Sequence, residues 1–298
     1  MKSMSDHEFG RYRKLIYSRA GIHLTPPKKA LLEARLNRRL RELGLESFLE
    51  YYKYVAADQS GAELVRLLDR VATNETHFFR EPRQFEFLEN TLLPDWLAQS
   101  DAGLRARQVR VWSAGCSTGE EPYSLAMTLL DHLSPARGWK LEIVGSDLSS
   151  RVVESAQNAI WPIARAKEIP ERYLKRFMLK GIGAQAACMK AGPELRSIVR
   201  CLNLNLNAES YPLPGGFDLI FCRNVMIYFD APTRARVVER LLRHLEPGGY
   251  LFVGHAESLT GVNAQLHHVI PTVYTTQTPA GSASAKVRAL AACAGAER

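Results

Sequence analysis

The residues with the strongest chemical content follow a short apolar run at 108–114 and read Ser113-Ala-Gly115-Cys-Ser117-Thr-Gly119-Glu-Glu121-Pro. Three chemistries compete for such a turn. Gly115-x-Ser117-x-Gly119 has the spacing of a nucleophile elbow, with Asp218 and His255 as triad partners. An elbow of that type follows several earlier strands, whereas the preceding residues here read as helical. Two carboxylates beside an oxyanion hole would also oppose the charge that develops there. A dinucleotide turn needs Gly-x-Gly-x-x-Gly, so that the backbone approaches a pyrophosphate at a helix N-terminus. Here the spacing differs, and Glu120 and Glu121 would stand where the diphosphate lies. The third reading fits best: a cofactor with a nucleoside, an ammonium and a sulfonium but no phosphate, such as S-adenosylmethionine. A second strand over 140–146 ends at Asp147, where a carboxylate accepts hydrogen bonds from both ribose hydroxyls. Taken alone, Glu120 and Glu121 would also simply favour a helix N-terminus.

These residues need a sheet to hold them. From about residue 108 strands alternate with helices: strands at 108–114, 140–146, 217–222 and 250–254, helices at 122–132, 150–158 and 231–245, the last closed by Pro247-Gly248-Gly249. That alternation predicts an α/β fold with a doubly wound, mostly parallel sheet covered on both faces. Residues 1–72 read instead as short amphipathic helices, at 9–20, 26–43, 47–55 and 62–71, forming a helical N-terminal domain. The second domain is expected over 73–278. It is interrupted at about 163–200 by a small inserted antiparallel β-element, with a helix-like piece at 167–177 and a short segment ending at Val199. The Ala/Gly/Ser-rich tail, 279–298, is expected to be disordered.

The apolar share, 46%, and the charged share, 23%, are those of an ordinary globular protein, so a buried core needs no staples. The five cysteines, Cys116, Cys188, Cys201, Cys222 and Cys293, include no Cys-x-x-Cys, which argues against a disulfide framework or a cysteine-rich zinc site. With no signal-like N-terminus and no apolar run long enough for a bilayer, a cytoplasmic protein is expected. Net charge is +8, and residues 28–41 carry much of it: Lys28, Lys29, Arg35, Arg38, Arg39 and Arg41 against Glu33 alone. On a helix starting near Thr25-Pro26, Leu32, Leu36, Leu40 and Leu43 form one stripe, with Arg35, Arg38 and Arg39 on a neighbouring face. Such a face is either solvated or the electrostatic footprint of an acidic partner, nucleic acid or protein helix.

Three further blocks accompany the turn: Asn74-Glu-Thr-His-Phe-Phe-Arg80, Phe221-Cys-Arg-Asn-Val-Met-Ile-Tyr-Phe-Asp230 and Gly254-His-Ala-Glu257. With Trp112-Ser-Ala-Gly-Cys-Ser-Thr-Gly-Glu-Glu-Pro-Tyr-Ser124 they resemble, in the same order, the chemotaxis receptor methyltransferases of the CheR family. The resemblance implies a class I S-adenosylmethionine-dependent methyltransferase sheet, a helical N-terminal domain and an inserted β-subdomain. It implies transfer of a methyl group to glutamate side chains of bacterial chemoreceptors, giving glutamate methyl esters and S-adenosylhomocysteine. By motif position the cofactor contacts would be Asn74, Thr76, Arg80, Glu121 (in preference to Glu120), Asp147, Asn205, Leu206, Arg223 and Asn224. Arg80 and Tyr228 would stand beside the transferring group, and Arg35, Arg38 and Arg39 would dock the acidic receptor helices. The inserted subdomain, with its loop Lys180-Gly-Ile-Gly183, would hold a receptor C-terminal peptide. A monomer without metal or nucleic acid is expected. The rivals are a nucleic-acid or other protein methyltransferase of the same fold and a non-catalytic, cofactor-sensing binding protein. Against the nucleic-acid rival, Arg223-Asn-Val-Met226 lacks the proline of an Asn/Asp-Pro-Pro-Tyr base-gripping segment.

Overall fold

The computed structural model describes residues 2–276; the tail expected to be disordered, and Cys293 within it, lie outside the described residues. Ser5 opens the first helix with a capping box: its hydroxyl accepts from the Glu8 N–H while the Glu8 carboxylate accepts from the Ser5 N–H. That helix, α1 (Asp6–Ala20), is followed by a 3-10 turn at Pro26–Lys28, α2 (Lys29–Leu43), α3 (Phe48–Ala57) and α4 (Ala62–Val71). Leu32, Leu36 and Leu40 of α2 share one core with Phe9, Tyr12, Ile16, Phe48, Tyr51 and Leu67. Leu148 and Tyr228, from the remainder of the chain, pack against the same core, so the helical part is seated on the sheet rather than tethered to it.

Next come α5 (Pro82–Phe87) and α6 (Leu93–Asp101), joined by a π-helical stretch at Leu88–Leu92. Then follow β1 (Gln108–Ala114), α7 (Glu120–His132), β2 (Lys140–Asp147), α8 (Ser150–Asn158), β3 (Ile160–Pro162), α9 (Glu171–Phe177), β4 (Met178–Lys180), β5 (Cys188–Ala191), α10 (Pro193–Ile198) and β6 (Val199–Asn203). The chain continues through β7 (Phe217–Cys222), α11 (Ala231–Leu242), β8 (Leu245–Val253), β9 (His267–Ile270) and β10 (Val273–Thr275). The main sheet has the order β6-β2-β1-β7-β8-β10-β9, parallel from β6 to β8, with β10 antiparallel to both its neighbours.

Successive residues alternate between two cores, as a sheet covered on both faces requires. Val109, Val111, Ile143, Leu219, Phe221 and Phe252 join one; Trp112, Ala114, Val144, Ile220, Cys222 and Leu251 join the other. Since β1 has β2 on one side and β7 on the other, chain direction across the sheet reverses there. A crevice opens at the strands' C-terminal ends, which are Ala114, Asp147 and Cys222.

Two expectations about the inserted and terminal elements need correction. The inserted antiparallel sheet, β3-β5-β4, begins at Ile160 and ends at Ala191. The segment expected to finish it at Val199 instead opens β6, which pairs in parallel with β2 through Ile143↔Val199 to Asp147↔Asn203. Likewise α11 ends at Leu242 and β8 begins at Leu245, so Pro247-Gly248-Gly249 lies within the strand, where its pairing with β7 is irregular.

Candidate active site

The crevice is a cleft holding about 1300 Å³ of empty space, counted to its open mouth. Asn74, Thr76, Arg80, Glu121, Asp147, Asn205, Leu206, Arg223, Asn224 and Tyr228 all line it, as does Arg35. Arg38 and Arg39 are not among its lining residues.

Each wall is fixed by contacts that begin at a strand end. At the end of β2, Asp147 Oδ2 accepts from the Ser117 N–H (2.9 Å) and Oδ1 from the Ser149 N–H (3.0 Å), tying strand, turn and α8 together. Gly115, at φ 92°, has no room for a side chain, because a Cβ there would meet Val225 Cγ2 at 2.3 Å. Glu121, in the first turn of α7, accepts from Ser113 Oγ (2.7 Å) and from Arg223 Nε (2.6 Å). Arg223, buried at the end of β7, also donates to the Arg80 carbonyl (2.6 Å) and to Gln84 Oε1 (3.0 Å). Phe79, Glu81, Ser117 and Asn224, four of the six non-glycine residues with positive φ among the described residues, flank or line this cleft. Backbone strain of this kind collects where surrounding structure over-determines a site.

Several placements differ in kind from what spacing alone conveys. Glu120 turns away from the cleft, buried, with Thr118 Oγ1 donating to it (2.6 Å). Asn205 lines the cleft, but its amide Nδ2 donates to the Arg19 carbonyl at the end of α1 (2.6 Å), so it also fastens the helical part to the sheet. Arg35 donates to the Val71 carbonyl and to Thr73 Oγ1 (2.8 Å). Arg39 is held bidentate by buried Glu63, at 2.8 and 2.6 Å, and Tyr51 donates to the same carboxylate (2.9 Å). Of the three arginines only Arg38 has a largely exposed side chain (75%), and it is ion-paired with Glu42 at 3.1 Å. The elbow reading fails on geometry: Ser117 Oγ donates to the Asn74 carbonyl (3.0 Å), while Asp218 is ion-paired with Arg105 and accepts from the Arg110 N–H near the start of β1.

Sequence reasoning gave no role to Ser113, Gln84 or Glu257. Buried Glu257 accepts three backbone N–H bonds, from Gly254 (2.6 Å), Asn224 (2.8 Å) and Ile227 (3.1 Å), and so shapes the loop bearing Arg223, Asn224 and Tyr228. The Gly254-His-Ala-Glu257 block was its only signal. Gln84 Nε2 donates to the Val253 carbonyl (2.8 Å), linking Arg223 to the end of β8.

The donor set suits a zwitterionic nucleoside. Acidic Asp147 and Glu121, basic Lys28, Arg35 and Arg80, and apolar Leu148, Leu204, Leu206 and Val225 face one cleft. A diphosphate would meet the carboxylates, whereas ribose hydroxyls, an ammonium and a carboxylate each find a complement. Burial raises the Asp147 carboxyl above the ordinary aspartate value of 3.8, against the opposing pull of its backbone hydrogen bonds. A raised folded-state value means the fold holds this proton more tightly than the unfolded chain, so the group's contribution to stability declines as pH rises through that value. Ribose hydroxyls, if Asp147 holds them as the resemblance implies, would donate to the ionised form. Affinity for S-adenosylhomocysteine is therefore expected to rise with pH over the same window, and Asp147→Asn to flatten that rise and weaken binding, as read by calorimetry at stepped pH.

Comparison with known proteins agrees with this geometry. Residues 74–275 match the family described as "CheR methyltransferase, SAM binding domain", and residues 7–72 match "CheR methyltransferase, all-alpha domain". The chain is 37% identical over 273 residues to the chemotaxis protein methyltransferase of Borreliella burgdorferi, covering 91% of this chain and 95% of that one. It is 39% identical over 273 residues to that of Escherichia coli K12, covering 91% of each. With chemotaxis protein methyltransferase 2 of Pseudomonas aeruginosa it shares 38% identity over 267 residues, covering 90% and 92%.

Proposed function

This chain belongs to the CheR methyltransferase family, and on that premise we propose that it methylates glutamate side chains of bacterial chemoreceptors with S-adenosylmethionine, for sensory adaptation in chemotaxis. The observation that carries the reading is the single cleft in which Asp147, Glu121, Arg80 and Tyr228 meet beneath the helical part. Asn74, Thr76, Asp147, Leu206 and Asn224 would hold the cofactor there, with Glu121 and Arg223 as the neutralised base of the site. When bound, S-adenosylmethionine supplies an electrophilic methyl group on a sulfonium sulfur.

The residues of this chain have little proton chemistry to do. A glutamate with a reference pKa of about 4.3 is already ionised at neutral pH, so no general base is needed. What remains is alignment and removal of water, and orientation of this kind is worth on the order of 7–11 kcal/mol. Tyr228 carries Lys28 Nζ 5.5 Å from its ring centroid, and Arg35 lines the same cleft. An incoming carboxylate thus meets Lys28, Arg35 and Arg80 around a tyrosine that walls the methyl's place. Arg80 donates to the Glu75 carbonyl through one guanidinium nitrogen (3.1 Å), and its remaining donors serve the substrate or the cofactor carboxylate.

The receptor helix is read as docking on α2. Since Arg39 is committed to Glu63, the outward charge of α2 comes from exposed Arg41 and from Arg38, which shares its charge with Glu42. Arg38→Glu is expected to raise the apparent KM for receptor severalfold while cofactor affinity stays within twofold, whereas Arg39→Glu should chiefly lower the unfolding midpoint. A receptor C-terminal peptide would add to the outer edge of β4, where Leu179 and Ile182 are exposed. Because receptor methylation segments are cytoplasmic, this reading places the chain in the cytoplasm; among the described residues no helix is long and apolar enough to cross a membrane. The deciding experiment incubates the purified chain with methyl-labelled S-adenosylmethionine and a receptor cytoplasmic fragment. Base-labile label on the fragment is the expected result; label on RNA instead, or none despite cofactor binding, would overturn the reading.

A further inference from the structure

The inserted subdomain reaches back to the cofactor cleft through its first strand and the 3-10 helix Ile163–Glu168 that follows. Trp161 Nε1 donates to the Thr118 carbonyl (3.1 Å) in the glycine turn, and its ring packs edge-on against Phe78 at 5.1 Å. Arg165 Nη1 donates to the Thr76 carbonyl (2.9 Å) and to Glu168 Oε1 (3.0 Å). Glu168 Oε2 in turn accepts from the Phe78 N–H (3.1 Å). The other guanidinium nitrogen, Arg165 Nη2, stands 3.9 Å from Glu120 Oε1, the acid that faces away from the cleft. Two separate walls of the cleft are therefore gripped by one element: the segment 74–80, which carries Asn74, Thr76 and Arg80, and the turn 115–121. Phe79 and Glu81, at φ 51° and 61°, show that the first wall does not rest in a relaxed backbone without such restraint.

We propose that Arg165 is a positioning residue for the cofactor cleft: it ties segment 74–80 to the glycine turn through Thr76, Glu168 and Glu120, so that the inserted subdomain sets the spacing of the two walls. The proposal rests on reading the cleft as the S-adenosylmethionine site. It also gives Glu120 a place, as the turn's end of this brace rather than a cofactor contact. Arg165 touches no reacting group, so its loss should fall chiefly on cofactor binding, with a smaller fall in turnover at saturating cofactor because the same wall carries Arg80.

The test is calorimetric titration of the full chain with S-adenosylhomocysteine, alongside steady-state kinetics on a receptor fragment. Arg165→Met is expected to weaken binding roughly 5–20-fold, the scale of one charge-assisted hydrogen bond, with stoichiometry near one. Glu168→Gln, close to isosteric, should weaken it by a smaller factor. Arg165→Lys should recover part of the loss, since an ammonium still donates to Thr76 and faces Glu120. KM for S-adenosylmethionine should rise with the Kd, kcat should fall by a smaller factor, and KM for receptor should stay within about twofold. Affinity within twofold of wild type in Arg165→Met, or a loss confined to stoichiometry and unfolding midpoint at unchanged Kd, would overturn the proposal. A wild-type chain that binds no S-adenosylhomocysteine would be a different failure, removing the cofactor reading and the brace with it.

Discussion

Arg223→Met is expected to cost about 3–5 kcal/mol of stability and to abolish measurable S-adenosylhomocysteine binding, because it strands a buried carboxylate. The Arg223 side chain is 2% exposed and the Glu121 side chain 10%. Arg223 sits with its guanidinium carbon 5.7 Å from the Phe85 ring centroid and 5.8 Å from that of Phe221, so methionine's volume is accommodated and the loss is one of charge. What remains on Glu121 is the single bond from Ser113, while the Arg80 carbonyl and Gln84 Oε1 each lose a donor. The double variant Glu121→Gln/Arg223→Met separates the two effects: with Glu121 no longer charged, part of the stability should return, although Glu81, 3.7 Å from Arg223, still loses its ion pair, and binding should not return. Urea midpoints and calorimetry read the two quantities independently. A single variant as stable as wild type would show that Glu121 does not depend on Arg223 as its partner and would undo this account of the site.

The chain disclosed its architecture unevenly, and the division follows the range of the forces involved. Strands such as β1 and β7 were legible to the residue because Val109, Val111, Trp112 and Leu219–Phe221 form short apolar runs bounded by turn residues, a local signal. The inserted sheet was expected, but its bounds were not. β3 is three residues long, contains Pro162, and acquires its partner only at Cys188–Ala191, so nothing near it in sequence announces a strand. Val199–Asn203 is apolar enough for either sheet; parallel pairing with β2 decides, and that is a tertiary outcome. The helices at 82–101 were passed over, since Pro82 and Pro94 interrupt the periodicity and a π-helical stretch shifts it between them.

The candidate site shows the same split. Residues at strand ends and turns, Asp147 and Glu121 above all, were legible because position on a doubly wound sheet constrains them. Their supports were not, because each acts across a long stretch of chain: Gln84 to Val253, Arg165 to Thr76, Glu257 to Asn224. The adjacent acids Glu120 and Glu121 could not be ranked from composition; about 100° of helix separates them, and only the location of β1 and β7 decides which one faces Arg223. Charge counting misled most for α2, where Arg39 and Glu63 lie far apart in sequence and neutralise one another in the fold.

Glu257→Gln carries the second large expectation, a fall in kcat on the order of 10²-fold. The native carboxylate presents two acceptor oxygens to three backbone donors, two on Oε2 and one on Oε1. An amide must turn its NH₂ group toward either the Gly254 and Asn224 N–H groups or the Ile227 N–H, replacing an attraction with a donor–donor clash. The first orientation frees Asn224 from a backbone at φ 58° that it holds under restraint; the second releases Ile227, the neighbour of Tyr228. Either way the loop that presents Tyr228 shifts by more than productive alignment tolerates, since misplacement of about 1 Å suffices for a loss of this size. Stability should drop by roughly 1–3 kcal/mol, the cost of a buried donor left unmatched. Receptor KM should stay near wild type, because α2 is untouched. Unchanged kcat together with an unchanged urea midpoint would mean that the loop keeps its shape without this carboxylate, and that Glu257 is not what holds Tyr228 in place.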